Sequence, residues 1–265
     1  MKRSHIIDLS NEDYHASPAI SKSGLDAVSK SIDHYRAYKA KATKVTPAMI
    51  FGQRVHEITL EPDTFHDRFT VKPADLDGRT KEGKAWKAEA ADRGLPIIDA
   101  AELEELETIA SAVHNHPIAG PIIRSEGWIE SSFFWTDPEY GVDCRCRPDI
   151  LTTDGLYIDL KTTRDASPEA FATSAARYRY DVQGAFYSRG IESVLELEVQ
   201  EFLIVAVEKA PPYAVAVYRL PPVFLSIGVE RMHRDLERFR DYLEDPDQWT
   251  GYPLEVLDLH PPRWL

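Results

Sequence analysis

Only two cysteines occur in the 265 residues, Cys144 and Cys146, and a single residue separates them. Alternate residues of a strand share a face, so a disulfide between these two would be strained. Two thiolates also cannot supply a four-thiolate zinc or iron–sulfur site. A reduced, cytoplasmic protein is the simplest reading. No run approaches the roughly 18 consecutive apolar residues of a membrane span. The start, MKRSHIIDLSNEDYH, turns polar before any signal-peptide core forms, so no membrane role is expected. Positive charge is scarce as well. Lys and Arg number 31 against 44 Asp and Glu, a formal net charge of −13, which argues against general affinity for polyphosphate chains.

The charge is nevertheless segregated. Residues 99–107 (DAAELEELE) carry five carboxylates and no base, whereas residues 30–44 hold Lys30, Arg36, Lys39, Lys41 and Lys44 against Asp33 alone. A charge run is by default a solvated face, yet a basic groove on an acidic body is compatible with this pattern. Apolar residues recur along nearly the whole chain, and 43% of it is hydrophobic, enough for one large α/β domain.

Periodicity and punctuation predict the elements. A helix runs from Ser21, which with Ser23 is a candidate cap, to about Lys41. A second opens at Pro47 and ends near Leu60, before Pro62. A short strand is expected over 66–72, then helices over 79–93 and about 100–114. From Gly127 the pattern turns to β, as GWIESSFFW, YGVDCRCRPDIL and LYIDLKTT. Helices near 167–177 and 179–189 follow, then two strands joined by Pro211-Pro212 and an amphipathic helix over 222–244. Trp128, Trp135 and Trp249 are expected in the core. This order predicts a mixed sheet with helices packed on it.

Chemistry concentrates in residues 144–163, CRCRPDILTTDGLYIDLKTT. TTDG is a turn between two β-like runs. With the turn centred on Asp154, Asp149 and Asp159 are each five residues away. They face one another across a hairpin with Cβ atoms about 5 Å apart, and Lys161 lies two residues on, on the same face. Two carboxylates this close repel unless a cation lies between them, and Mg²⁺ favours such ligands. A surface hairpin with a cross-strand ion pair is the plain alternative. Against it, Asp159 follows the apolar run LYI, an expensive place for an acid without a task.

P-D-I followed by D-L-K resembles the PD-(D/E)XK nuclease signature. FGQRVHEITLEP, SPAISKSGLDAVSKS, DVQGAFY and the closing Trp249 to Trp264 segment extend the resemblance to the RecB-like branch, and within it to RecE-type exodeoxyribonucleases similar to exonuclease VIII. The resemblance implies an α/β fold with a mixed central sheet flanked by helices. It implies a single nuclease domain over 1–265, with a helical N-terminal segment at about 15–60 and a nuclease core at about 127–210. It implies Asp149, Asp159, the Leu160 carbonyl and His56 as metal ligands for Mg²⁺, with Mn²⁺ as a substitute, and Lys161 as the catalytic lysine. Gln183 and Tyr187, one helical turn apart, become active-site or DNA contacts, although ordinary helix packing accounts for them too. Ser21, Lys22 and Ser23 at a helix start suit either capping or a phosphate. Glu61 and Glu130 are candidate outer acids; Arg79, Lys81 and Lys84 are candidate backbone contacts.

The function so implied is 5′→3′ degradation of linear duplex DNA from an end in recombination, by a ring-shaped homo-oligomer working with a RecT-like single-strand annealing protein. Three rivals stand beside it. A structure-specific endonuclease or repair nuclease would use the same fold. A non-enzymatic acidic DNA mimic would suit the net charge but has no use for the ordered motifs. A carboxylate-pair glycosidase would need neither metal nor Lys161.

Overall fold

The structure is a computed structural model that describes residues 3–40, 46–247, 251–253 and 255–261. In chain order the elements begin with β1 (Ser4–Ile6), α1 (Asn11–Ala16), α2 (Lys22–Val28), α3 (Ile32–Ala40), α4 (Pro47–Leu60) and α5 (Pro62–Phe65). Next come β2 (Thr70–Lys72), α6 (Lys81–Asp92), β3 (Ile97–Asp99), α7 (Ala100–Asn115) and α8 (Ala119–Ile123). The second half holds β4 (Gly127–Ile129), β5 (Ser132–Thr136), β6 (Asp143–Cys146), β7 (Ile150–Thr152) and β8 (Leu156–Thr163). It ends with α9 (Pro168–Arg177), α10 (Tyr180–Leu195), β9 (Glu201–Glu208), β10 (Val215–Arg219) and α11 (Pro222–Glu244).

A five-stranded sheet, ordered β10-β9-β8-β7-β4, forms the centre. Its β8–β9 pair is parallel and the other pairs are antiparallel, the mixed sheet expected from the pattern. A second sheet joins β1, β5 and β6, and a small parallel pair joins β2 to β3. Central β8 alternates as its pleat dictates. Ile158 and Leu160 enter a core shared with Val55 and Ile58 of α4 and Leu106 and Ile109 of α7. Tyr157 enters the core on the opposite face, beneath α9 and α10. Trp135 is fully buried and Trp128 is half-buried against the same core; Trp249 and Trp264 lie outside the described residues.

Three expectations differ from the structure. The helix from Ser21 is two helices, broken at 29–31, because the Ser31 hydroxyl accepts the His34 N–H at 3.2 Å and starts α3 afresh; such local side-chain bonds compete with helix continuation. The strand over 66–72 is shorter, since His66–Arg68 forms a 3₁₀ turn. Most consequentially, GWIESSFFW and YGVDCRCRPDIL are not two continuous strands. Each is cut in the middle and changes sheet, β4 and β7 lying in the five-stranded sheet, β5 and β6 in the three-stranded one. Pro148 has no N–H to continue the ladder. Glu130, opposite Asp149, takes a left-handed φ of 45°, a sparse region for a side-chain-bearing residue. The two breaks lie side by side, joined by the Glu130 N–H donating to the Asp149 carbonyl at 2.9 Å. Cys144 and Cys146 are free and buried on one face of β6.

Candidate active site

The site forms where this double break leaves one edge of β8 unpaired, the other edge being held by β9. β7 pairs Ile150 with Ile158 and Leu151 with Tyr157, which is the register centred on Asp154. Extended by one residue it sets Asp149 opposite Asp159. There β7 has ended, and the carboxylate of Asp149 takes the place of the missing strand by accepting the Leu160 N–H at 2.7 Å. A strand residue's N–H and C=O leave on the same edge, so the Leu160 carbonyl also faces this gap.

Each acid is held by a different set of donors. His56 on α4 places Nε2 3.2 Å from Asp149 Oδ2 and anchors Nδ1 on the Gly52 carbonyl at 2.8 Å. A β-carbon on Gly52 would come no closer than 3.6 Å to Thr162 Oγ1, and what Gly52 contributes to His56 is its carbonyl. Asp159, 2% exposed, accepts Gln183 Nε2 at 2.7 Å and the Tyr157 hydroxyl at 3.2 Å, both on Oδ1. The same Gln183 nitrogen reaches the Tyr157 oxygen at 2.6 Å. Asp159 Oδ2 faces the Lys161 ammonium, its ion-pair partner, with Nζ 2.5 Å away.

The electrostatics follow. Burial works against charge on Asp149, but the His56 imidazolium, Lys161 and the Leu160 N–H overcome it and hold the carboxyl below its usual range. Burial and the neighbouring Asp149 raise Asp159 in spite of Lys161. Burial disfavours the His56 cation, yet Asp149 reverses this and pushes its pKa up to about 9. Lys161 is likewise raised, as Asp159 and Asp149 outweigh its burial. Two carboxylates are thus neutralised by two protonated cations.

A divalent cation is what the fold implies for this gap. Among the described residues no three His, Cys, Asp or Glu side chains already converge as a metal cage, since His56 is turned onto Asp149 and Lys161 onto Asp159. The donors fit a cation all the same. Asp149 and Asp159 are buried acids set opposite one another and balanced by His56 and Lys161, and a cation between them would relieve their repulsion. Asp149, the Leu160 carbonyl and His56 border the same gap with hard oxygen and imidazole ligands.

Of the other residues singled out in the sequence, Gln183 and Tyr187 do share the inner face of α10. Gln183 is buried and braces Asp159; Tyr187 stacks on Tyr157 with ring centroids 5.3 Å apart. Ser21, Lys22 and Ser23 line a cleft of about 510 Å³ with Asp149, Asp159 and Lys161. Within it Ser21 caps α2 through the Gly24 N–H at 3.3 Å. Lys22 is buried against Asp26 at 2.7 Å. Glu130 lines the adjoining groove beside His56, and burial and Asp149 raise its pKa. Glu61 is taken up by a two-pronged pair with Arg68 at 2.8 and 2.9 Å. Arg79, Lys81 and Lys84 line neither groove and are exposed. Sequence reasoning missed Tyr157, Tyr180 and Arg147. Tyr157 was legible, being two residues before Asp159 and so on its face. The other two reach the cleft only through tertiary packing.

A hairpin acid set across from an acid-x-lysine strand, on a mixed sheet with helices on both sides, is the architecture of the PD-(D/E)XK nuclease superfamily. The chain belongs within it to the PDDEXK-like domain of unknown function (DUF3799) family, whose profile matches residues 21–249. Among solved structures it is similar to a "Putative exonuclease" from Eubacterium rectale, at 13% identity and a TM-score of 0.65, with 97% of each chain covered. A second, SSO0001, aligns over 83% of this chain and 84% of its own at 12% identity, with a TM-score of 0.29, too low to establish a common fold. Comparison with curated proteins gives no match.

Proposed function

We propose that this protein is a Mg²⁺-dependent exodeoxyribonuclease, with Mn²⁺ able to substitute, that degrades linear duplex DNA from an end. The observation that supports it is the convergence of Asp149, Asp159, the Leu160 edge, His56 and Lys161 in a gap of the central sheet, open to a cleft. Asp149, Asp159, the Leu160 carbonyl and His56 would hold the cation, which supplies Lewis-acid polarisation of the phosphate and acidifies water. Lys161 orients the attacking water and stabilises charge growing on the phosphate. The water oxygen bonds to phosphorus, the bond from phosphorus to the leaving sugar oxygen breaks, and that oxygen takes up a proton. Gln183 and Tyr157 keep Asp159 in one orientation throughout. Ser21, Lys22, Ser23 and Tyr187 on the cleft wall are the proposed strand contacts.

The resemblance to RecE-type enzymes extends the proposal to 5′→3′ polarity, a ring-shaped oligomer and a single-strand annealing partner in recombination. The test is incubation of linear and covalently closed circular duplex with Mg²⁺, Mn²⁺ or EDTA. Loss of the linear form alone, and only with metal, is expected. Equal loss of both forms would make the protein an endonuclease on the same fold, and cleavage in EDTA would remove the metal.

A further inference from the structure

The turn between α9 and α10 is a strained and heavily tethered piece of backbone. Arg179, a non-glycine residue, takes a left-handed φ of 55° and ψ of 51°. Left-handed backbone is unfavourable for a side-chain-bearing residue and persists only where the surroundings impose it. Here they do so thoroughly. The Arg179 guanidinium bonds Asp26 of α2 at 3.2 Å and the fully buried Asp235 of α11. From α2, Lys22 Nζ donates to the Tyr178 carbonyl at 2.5 Å. Two helices, α2 and α11, therefore hold this turn in an unfavourable conformation.

The strained residue lies between two tyrosines. Tyr178 and Tyr180 flank Arg179 and stack with centroids 6.1 Å apart and planes at 23°. Both line the cleft. Tyr180 is buried and Lys161 Nζ lies over its ring at 5.4 Å from the centroid. Tyr178 is 55% exposed, a large ring left half in water with the Arg177 guanidinium 5.9 Å from its centroid, although its backbone is clamped. Tyr38 of α3, also exposed, at 39%, lines the same cleft. A staircase of aromatic faces thus leads from solvent to the lysine beside the paired acids.

We propose that this turn is a base-stacking platform: Tyr178 receives the base of an unpaired nucleotide whose strand runs on past Tyr180 to Lys161 and the two acids. The inference rests on the nuclease reading and narrows its substrate to an end with an unpaired strand. Aromatic faces stack any base without regard to sequence, as an enzyme that meets arbitrary ends requires. A rigid platform also loses little entropy on binding.

The test is binding of a fluorescein-labelled duplex with a four-nucleotide unpaired tail, and of its blunt counterpart, in Ca²⁺ by anisotropy. Wild type, Tyr178→Ala and Tyr178→Phe are compared, with thermal melts and with cleavage of the tailed duplex in Mg²⁺ measured in parallel. Wild type is expected to prefer the tailed duplex, Tyr178→Ala to lose about tenfold in affinity for it, and Tyr178→Phe to stay within twofold. Tyr178→Ala binding the tailed duplex as wild type does, or Tyr178→Phe losing as much as Tyr178→Ala, or no binding by wild type, overturns the platform. Tyr178-dependent binding without cleavage upholds the platform and refutes the nuclease reading instead. Cleavage with no dependence on Tyr178 does the reverse.

Discussion

Lys161 is the residue on which the proposed chemistry turns. It lies on the same strand face as Asp159, and its ammonium is kept charged by two acids that outweigh its burial. A charge aimed at the developing phosphorane acts on the barrier more than on the ground state. Lys161→Ala is therefore expected to slow single-turnover cleavage by about 10²–10³ while duplex binding in Ca²⁺ persists. Cleavage within about threefold of wild type, under 1 kcal/mol in barrier, would leave Lys161 as an ion-pair partner only. His56 makes a separate prediction. Its pKa near 9 in the metal-free fold stands above the ordinary value near 6.5. The His56–Asp149 pair therefore stabilises the fold fully below about pH 6.5 and loses that stabilisation as pH rises through 9. The step is on the order of 3 kcal/mol. Melts of metal-free protein between pH 7 and 9.5 should show it, and His56→Ala should abolish it. Because a metal needs the neutral imidazole, Mn²⁺ binding at pH 7.5 should release about one proton, read by calorimetry in buffers of different ionisation enthalpy. The same heat in all buffers would place His56 outside the metal's ligands.

Among the elements, α10 carries the brace and α11 sets where α10 lies. α11 approaches so closely that a β-carbon on Gly228 would stand 2.1 Å from the Asp181 carbonyl oxygen and 2.3 Å from its carbon. Asp181 is two residues from Gln183, whose amide fixes Asp159. Gly228→Ala must part the two helices. Overpacking of this kind costs about 1–3 kcal/mol, and Gln183 moves with α10. The expected outcome is a melting temperature several degrees lower, together with a fall in cleavage measured well below that temperature. An unchanged melt would show that α11 yields without disturbing its neighbour. The paired strand breaks at Glu130 and Pro148 act at this scale too. By ending β7 one residue short of Asp149, they turn a ladder position into a gap beside Leu160.

For the whole molecule, a net charge of −13 must coexist with a polyanionic substrate. The cleft and its adjoining groove resolve the conflict by gathering Lys22, Lys39, Arg147 and Lys161 on an otherwise acidic body. Three of these are already engaged within the protein, Lys22 by Asp26, Arg147 by Asn11 at 2.6 Å and Lys161 by Asp159 at 2.5 Å. Few phosphates can then be neutralised. The slope of log affinity against log salt should be no steeper than about −4, near −0.9 per phosphate. Duplex binding in Ca²⁺ across a salt series measures it, and a slope near −10 would place the DNA on another surface. Among the described residues no helix is long and apolar enough to cross a membrane.

The amino-acid sequence by itself determined the elements that local rules govern. The Pro47–Leu60 and Pro222–Glu244 helices match their expected bounds because proline, caps and 3.6-residue periodicity act within a few residues. The Asp149–Asp159 register was legible for the same reason, since a turn at Asp154 sets it by counting. Asp159 and Lys161 were placed on one face by the two-residue repeat of a strand. What the tertiary structure alone decided is where these pieces meet. No local rule brings His56, 93 residues before Asp149, to within 3.2 Å of it, nor closes Gln183 on Asp159. The exchange of strands between two sheets at Glu130 and Pro148 was hidden as well, because both halves of each run read as β and only their different partners separate them. Short-range preferences are written in neighbouring residues; the gap that gathers the acids arises from packing between segments far apart in the chain, and that packing has no signature in any one of them.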